Sequence, residues 1–111
     1  MTFRRSAAFL LALATTTPAA ADQFIMGAGS WPCGEVTRVA QSGSDSEVGQ
    51  LAGWVLGFWS YATYERDNTF VNTVETVGGR GVFDATVQEC AGADAEVLLH
   101  VVARSMAENT K

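Results

Sequence analysis

The chain has 111 residues, of which seven are Lys or Arg and twelve are Asp or Glu, so its formal net charge is −5 at pH 7. This length fits one domain, and the acidic balance disfavours nucleic acid and anionic lipid as partners because both are negatively charged. With His100 as the single histidine and no nucleophile elbow, HExxH motif or phosphate loop, the sequence indicates a non-enzymatic protein without cofactor or metal.

The first 21 residues have the pattern of an export signal and are excluded from the fold. Arg4 and Arg5 precede a short apolar run at 7–14, and alanines occupy 19–21, which predicts a Sec-type signal peptide cleaved before Asp22. Cleavage leaves all twelve acidic residues and five of the seven basic ones, a formal charge of about −7. We therefore expect a periplasmic protein.

Two cysteines, Cys33 and Cys90, remain in the mature chain. An even number of cysteines in an exported protein predicts a disulfide, which would stabilise the fold by about 4 kcal/mol in the chain-entropy model. Two free thiols or a shared metal are the alternatives, and the lack of a CxxC motif disfavours the metal. The predicted organisation is a mobile N-terminal arm at 22–29, a disulfide-stapled helical domain at 30–107 and a C-terminal tail at 108–111.

The domain is expected to be all-α, a small bundle of three to four helices. The segment "SWPCGEVTRVA" predicts a short helix at 30–40, followed by a loop at 41–46. A long helix is predicted at 46–64, because Ser44 and Glu47 have the spacing of a capping box directly before an apolar run.

The predicted long helix has two unlike faces at 3.6 residues per turn. One carries the bulky apolar residues, among which Trp54, Phe58 and Trp59 are interpreted as the core or as a client-binding surface. A membrane span is disfavoured because both flanks are acidic and because a span would separate the two cysteines. The helix is therefore predicted to be buried in a folded domain, with no stable membrane insertion.

Gly49, Gly53 and Gly57 form a row on the other face of this helix. Each glycine costs about 1 kcal/mol against alanine inside a helix, so the row is expected to make room for a closely packed backbone. A neighbouring helix of the same chain is the favoured interpretation. A second copy of the protein, giving a homodimer, is the alternative.

The segment at 65–81 is expected to break the helical pattern, with Phe70, Val74 and Val77 docking onto the core. Its "GGRG" sequence at 78–81 is interpreted as a turn, or alternatively as an anion site that uses Arg80. A third helix is predicted from Val82 to Cys90. A fourth helix is predicted to be capped by Asp94, and its apolar stripe is Val97, Leu98, Val101, Val102 and Met106.

Together these parts resemble the HdeA/HdeB family of periplasmic acid-stress proteins. The resemblance covers about residues 30–106 and rests on three stretches, "SWPC", "AGWVLGFW" and "TVQEC", followed by a final amphipathic helix. It implies an all-helical fold with one disulfide, in which Cys33 and Cys90 correspond to the family's paired cysteines. Trp54 then belongs to the central core helix.

The resemblance implies a chaperone that opens in acid and holds unfolding protein clients through the surface around Trp54, Phe58 and Trp59. Protonation of the carboxylates would change the charge of the mature chain from about −7 to about +7, and self-repulsion would loosen the fold. The alternative function is a protein-binding module, such as an immunity protein that caps a cell-envelope toxin at neutral pH.

Overall fold

The structure, a computed structural model, describes residues 24–111, and the predicted signal peptide at 1–21 lies outside the described residues. The described chain is all-α, with four helices and one disulfide, as the sequence predicts. Between residues 24 and 111 the only β-pairing is an isolated bridge between Pro32 and Leu98. The helices are α1 (Cys33–Ser42), α2 (Asp45–Ala62), α3 (Asn68–Gly92) and α4 (Leu99–Asn109).

The predicted disulfide joins the beginning of α1 to the end of α3. Cys33 and Cys90 have Cα atoms 5.0 Å apart, and both residues are fully buried. Because 57 residues separate the two cysteines, this bond ties the beginning of the helical bundle to the end of its third helix. Val36 and Val39 follow on the buried face of α1.

The predicted capping box begins α2. The Ser44 hydroxyl accepts the Glu47 backbone N–H at 3.1 Å, and the Glu47 carboxylate accepts the Ser44 backbone N–H at 3.0 Å. Two N–H groups that the helix geometry leaves without partners are thereby satisfied. The helix buries Leu51, Val55 and Trp59 and is followed by a single 3₁₀ turn at Thr63–Glu65.

The prediction that residues 65–81 are irregular is wrong, because α3 runs through most of this segment. Asp67 caps it by accepting the Phe70 N–H at 3.1 Å. Only Gly78 leaves the helical region, with φ 79° and ψ 168°, a left-handed conformation that glycine adopts without strain. The spacing of Phe70, Val74 and Val77 is itself helical, so "GGRG" interrupts a helix rather than forming a loop, and the third helix does not begin at Val82.

The prediction that Asp94 caps the last helix is also wrong, since α4 begins at Leu99. Residues 95–97 form a turn and bend, and Leu98 forms the isolated bridge with Pro32, while the Cys33 N–H donates to the Val97 carbonyl at 2.7 Å. Asp94 instead accepts the Glu96 N–H within a turn. The buried face of α4 also differs from the predicted stripe, since Leu99 is buried whereas Val101 is 42% exposed.

Candidate functional site

Four aromatic side chains form one continuous row, which we call the aromatic row: Trp54, Phe58 and Trp59 of α2 and Phe70 of α3. Successive ring centroids lie 5.5, 5.8 and 6.1 Å apart. Such distances are typical of favourable aromatic pairs. The structure therefore brings together the three aromatic residues that the sequence singles out and adds Phe70.

The aromatic row is buried at one end and partly open at the other. Phe70 is fully buried, and Trp59 is 5% exposed, with its Nε1–H donating to the Thr86 hydroxyl at 3.0 Å. Trp54 and Phe58 are only half-buried. Trp59 and Phe70 are thus core residues, whereas Trp54 and Phe58 are partly accessible to solvent.

A short 3₁₀ turn at Gly27–Ser30 covers Trp54. Gly29 in this turn is buried, and a methyl group added there would overlap the Trp54 indole, so only glycine permits so close an approach. Of the predicted arm, Phe24 and Met26 are exposed, whereas Ala28 and Gly29 are buried. The surface of the aromatic row therefore depends on how firmly this turn stays in place.

Three charged residues, which we call the ionic corner, join α1 to α2: Glu35, Arg38 and Glu47. The Arg38 guanidinium donates to Glu35 at 2.8 Å and to Glu47 at 2.9 Å. The Arg38 hydrogen bond lowers the pKa of Glu35 below the ordinary 4.5. The pKa of Glu47 is lowered first by the Ser44 backbone N–H and then by Arg38.

The opposite end of the bundle is held by Arg66, in an arrangement that we call the Arg66 clasp. Its guanidinium donates to the carbonyls of Ala107 at 2.8 Å and Thr110 at 2.9 Å, and lies 4.0 Å from the centre of the Phe70 ring. The clasp thus binds the carbonyl end of α4, where a positive charge is favourable. Its acceptors are backbone carbonyls, which do not titrate between neutral pH and strong acid.

The glycine row of α2 lies in open space. A methyl group at Gly49, Gly53 or Gly57 would meet no atom within 4 Å among the described residues. The favoured prediction, a neighbouring helix of the same chain packed on this row, is therefore wrong for residues 24–111. A second copy on the row stays a prediction.

The remaining polar groups form no metal site within residues 24–111, where no cluster of three His, Cys, Asp or Glu side chains has a suitable arrangement. None of the helices in this range is long and apolar enough for a bilayer crossing. Arg80, the candidate anion ligand, instead pairs with Asp84 at 3.0 Å. That the protein is not an enzyme stays a prediction.

Sequence reasoning did not identify the ionic corner or the Arg66 clasp. The Glu35–Arg38 pair is visible as oppositely charged residues three positions apart on a helix. The contact of Arg38 with Glu47 and that of Arg66 with Ala107 cross between elements, and no local pattern indicates them.

Comparison with known proteins gave no match: no family model, no curated protein and no solved structure resembles the chain closely enough to be counted. The resemblance to the HdeA/HdeB family therefore rests on the three quoted stretches and the final amphipathic helix, and it stays a prediction.

Proposed function

We propose that the protein is a small exported, non-enzymatic chaperone of the periplasm that opens at low pH and holds unfolding protein clients. The observation that carries the proposal is the double role of Glu47. One of its carboxylate oxygens caps the helix that presents Trp54, Phe58 and Trp59, and the other pairs with Arg38 of α1. A single protonation therefore weakens both the start of α2 and its attachment to α1.

The direction of the pH effect follows from the lowered pKa values of Glu35 and Glu47. A carboxylate whose pKa is lower in the folded state stabilises the fold at pH values above its unfolded pKa. That stabilisation is lost as the pH falls below the ordinary 4.5 and through the folded-state value. Because the three side chains are exposed, solvent screens the effect, and the ionic corner acts together with the general gain of positive charge.

The general loss of negative charge in acid adds to the same response, because the protein has twelve Asp and Glu residues against seven Lys and Arg. Loosening of α2 would then uncover Trp54 and Phe58, which the closed fold leaves half-buried.

Two features would keep the opened chain together. The disulfide between Cys33 and Cys90 does not respond to pH, and neither do the carbonyl acceptors of the Arg66 clasp. The opened state would thus expose apolar surface while α3 and α4 remain joined. A compact chain with exposed apolar surface is suited to holding clients and also to refolding after neutralisation.

The test is the light scattering of an acid-sensitive client protein at about pH 2.5, where carboxylates are protonated, with and without this protein in excess. The proposal predicts less aggregation with the wild type and less protection with a Trp54→Ser, Phe58→Ser double variant. Val101→Ser serves as the control, because Val101 is an exposed apolar residue that lies on α4, outside the aromatic row. Equal aggregation with and without the wild type would refute the proposal.

The same experiment separates the alternative function. A protein-binding module such as an immunity protein would bind one partner tightly at neutral pH and would leave the acid aggregation of unrelated clients unchanged.

A further inference from the structure

The interruption of α3 at Gly78 leaves two recesses beside it, which together we call the Gly78 cleft. The larger recess has a volume of about 420 Å³ and opens between α2 and α3. The smaller has a volume of about 120 Å³ and lies between α3 and α4. Trp59, Val74 and Val82 line both, so the recesses adjoin across these side chains.

The smaller recess is chemically suited to a nonpolar group. Val77, Ala85 and Met106 contribute to its lining. Its two hydroxyls are already engaged, since Thr73 donates to the Thr69 carbonyl at 3.0 Å and Thr110 to the Met106 carbonyl at 2.8 Å. A hydrocarbon group could therefore fill the recess without leaving either hydroxyl lacking a hydrogen-bond partner.

The size of this recess limits the occupant. Small-molecule sites usually enclose about 300–1,000 Å³, whereas an apolar cavity of about 150 Å³ accepts benzene. At about 120 Å³, the smaller recess accommodates one aromatic ring or one branched alkyl group. A long acyl chain would not fit, so a single amino-acid side chain is the best-matched occupant.

The larger recess adds one charge and one aromatic ring. Glu75 is the only charged side chain lining either recess, and it forms no ion pair with any residue between 24 and 111. Tyr64, which is 82% exposed, lines the same recess. A free carboxylate beside an exposed aromatic ring favours a Lys or Arg side chain, through charge and through contact with the ring.

We propose that the Gly78 cleft of the folded protein binds a short polypeptide segment in which a nonpolar side chain adjoins a Lys or Arg. The nonpolar side chain enters the recess lined by Val77 and Met106, and the basic side chain contacts Glu75. This binding belongs to the closed fold at neutral pH and is independent of acid-induced opening.

The test is a titration of the ¹⁵N-labelled mature protein at pH 7 with two acetylated, amidated tripeptides, Leu-Lys-Leu and Leu-Glu-Leu, followed by amide chemical shifts. We expect shifts concentrated at residues 73–82, with Leu-Lys-Leu bound up to about fivefold more tightly, which corresponds to one exposed ion pair. In the Glu75→Gln variant the two peptides should bind equally.

A matched pair of surface variants checks the location. Val77→Gln changes a residue that is 47% exposed and lines the smaller recess, whereas Val101→Gln changes one that is 42% exposed and lines neither. Val77→Gln should weaken binding several-fold, and Val101→Gln should leave it unchanged. A circular dichroism melt of each variant verifies folding.

Several results would overturn the proposal: no peptide-induced shifts at millimolar concentration, equal binding of both peptides to the wild type, or equal binding by Val77→Gln and Val101→Gln. Shifts at the cleft that depend on protein concentration alone would identify a second copy as the occupant. Shifts with benzene but with neither peptide would identify a hydrocarbon. Both would also overturn it, and none of these outcomes bears on aggregation in acid.

Discussion

The two ends of the bundle are held by polar contacts of different kinds. At the ionic corner, Arg38 of α1 binds carboxylates, one of which also caps α2. At the opposite end, Arg66 binds the backbone carbonyls of Ala107 and Thr110. The same type of side chain thus makes a contact that acid removes at one end and a contact that acid leaves intact at the other. The acceptor, rather than the arginine, decides which end responds to pH.

The largest expected effect comes from removing the covalent tie that both ends share. A Cys33→Ser, Cys90→Ser variant should lose about 2–5 kcal/mol of stability, the usual cost of removing a disulfide from a small exported domain. Urea unfolding at pH 7 measures the loss. In acid, the ionic corner and the Arg66 clasp of this variant should open together, because without the disulfide the whole chain unfolds. A variant as stable as the wild type would contradict this.

Removing the Arg66 clasp should have the next largest effect. Arg66→Gln loses two charge-assisted hydrogen bonds and the contact with Phe70, for which we expect about 1–2 kcal/mol after allowance for partial exposure. Because the acceptors are carbonyls, the loss should be the same at pH 7 and at pH 5. Urea unfolding at both pH values measures it, and a loss confined to one of them would mean that a titrating group takes part.

Gly53→Ala changes the middle of α2, the helix that begins at the ionic corner and carries the aromatic row. It alters no residue of the ionic corner or of the Arg66 clasp. A methyl group at this position meets no described atom within 4 Å, so the variant should gain about 1 kcal/mol of stability from helix propensity.

Gly53→Leu tests the predicted homodimer by light scattering. If the wild type forms a dimer through the glycine row, the variant should have a lower mass in solution. An unchanged mass at all concentrations would exclude that dimer.

The smallest effect is expected at the ionic corner at neutral pH. Glu47→Gln should lower the free energy of unfolding slightly at pH 7. The difference from the wild type should vanish as the pH falls below 4.5 and Glu47 itself becomes protonated. Glu89→Gln is the control, because Glu89 forms no ion pair among residues 24–111. A difference in free energy of unfolding between Glu47→Gln and the wild type that stays constant with pH would contradict the stabilising role of the Glu47 carboxylate.

Local chemistry made part of this architecture predictable. The Ser44–Glu47 capping box is encoded within four residues, the period of α2 separates Trp59 from Gly53, and the pairing of Cys33 with Cys90 follows from the cysteine count and the predicted export signal. Each of these signals is contained in a short motif or in the composition, so the sequence suffices to find it.

The remaining features depend on contacts between distant segments. The glycines around Arg80 indicate a turn, yet only Gly78 departs from helical geometry. A single residue with positive φ is enough to interrupt α3. The late start of α4 results from pairing of Val97 with Cys33, and the clasp joins Arg66 to Ala107. No window of sequence contains both members of these pairs.

The most direct test of the acid-opening account is amide hydrogen exchange of residues 22–111 with the wild-type sequence, compared between pH 7 and about pH 3 after correction for the intrinsic rates. We predict that protection is lost first in residues 35–60, around the ionic corner and the aromatic row, while residues 82–107 next to the disulfide and the Arg66 clasp keep theirs. Uniform loss along the chain, or earlier loss in α4 than in α2, would contradict the account.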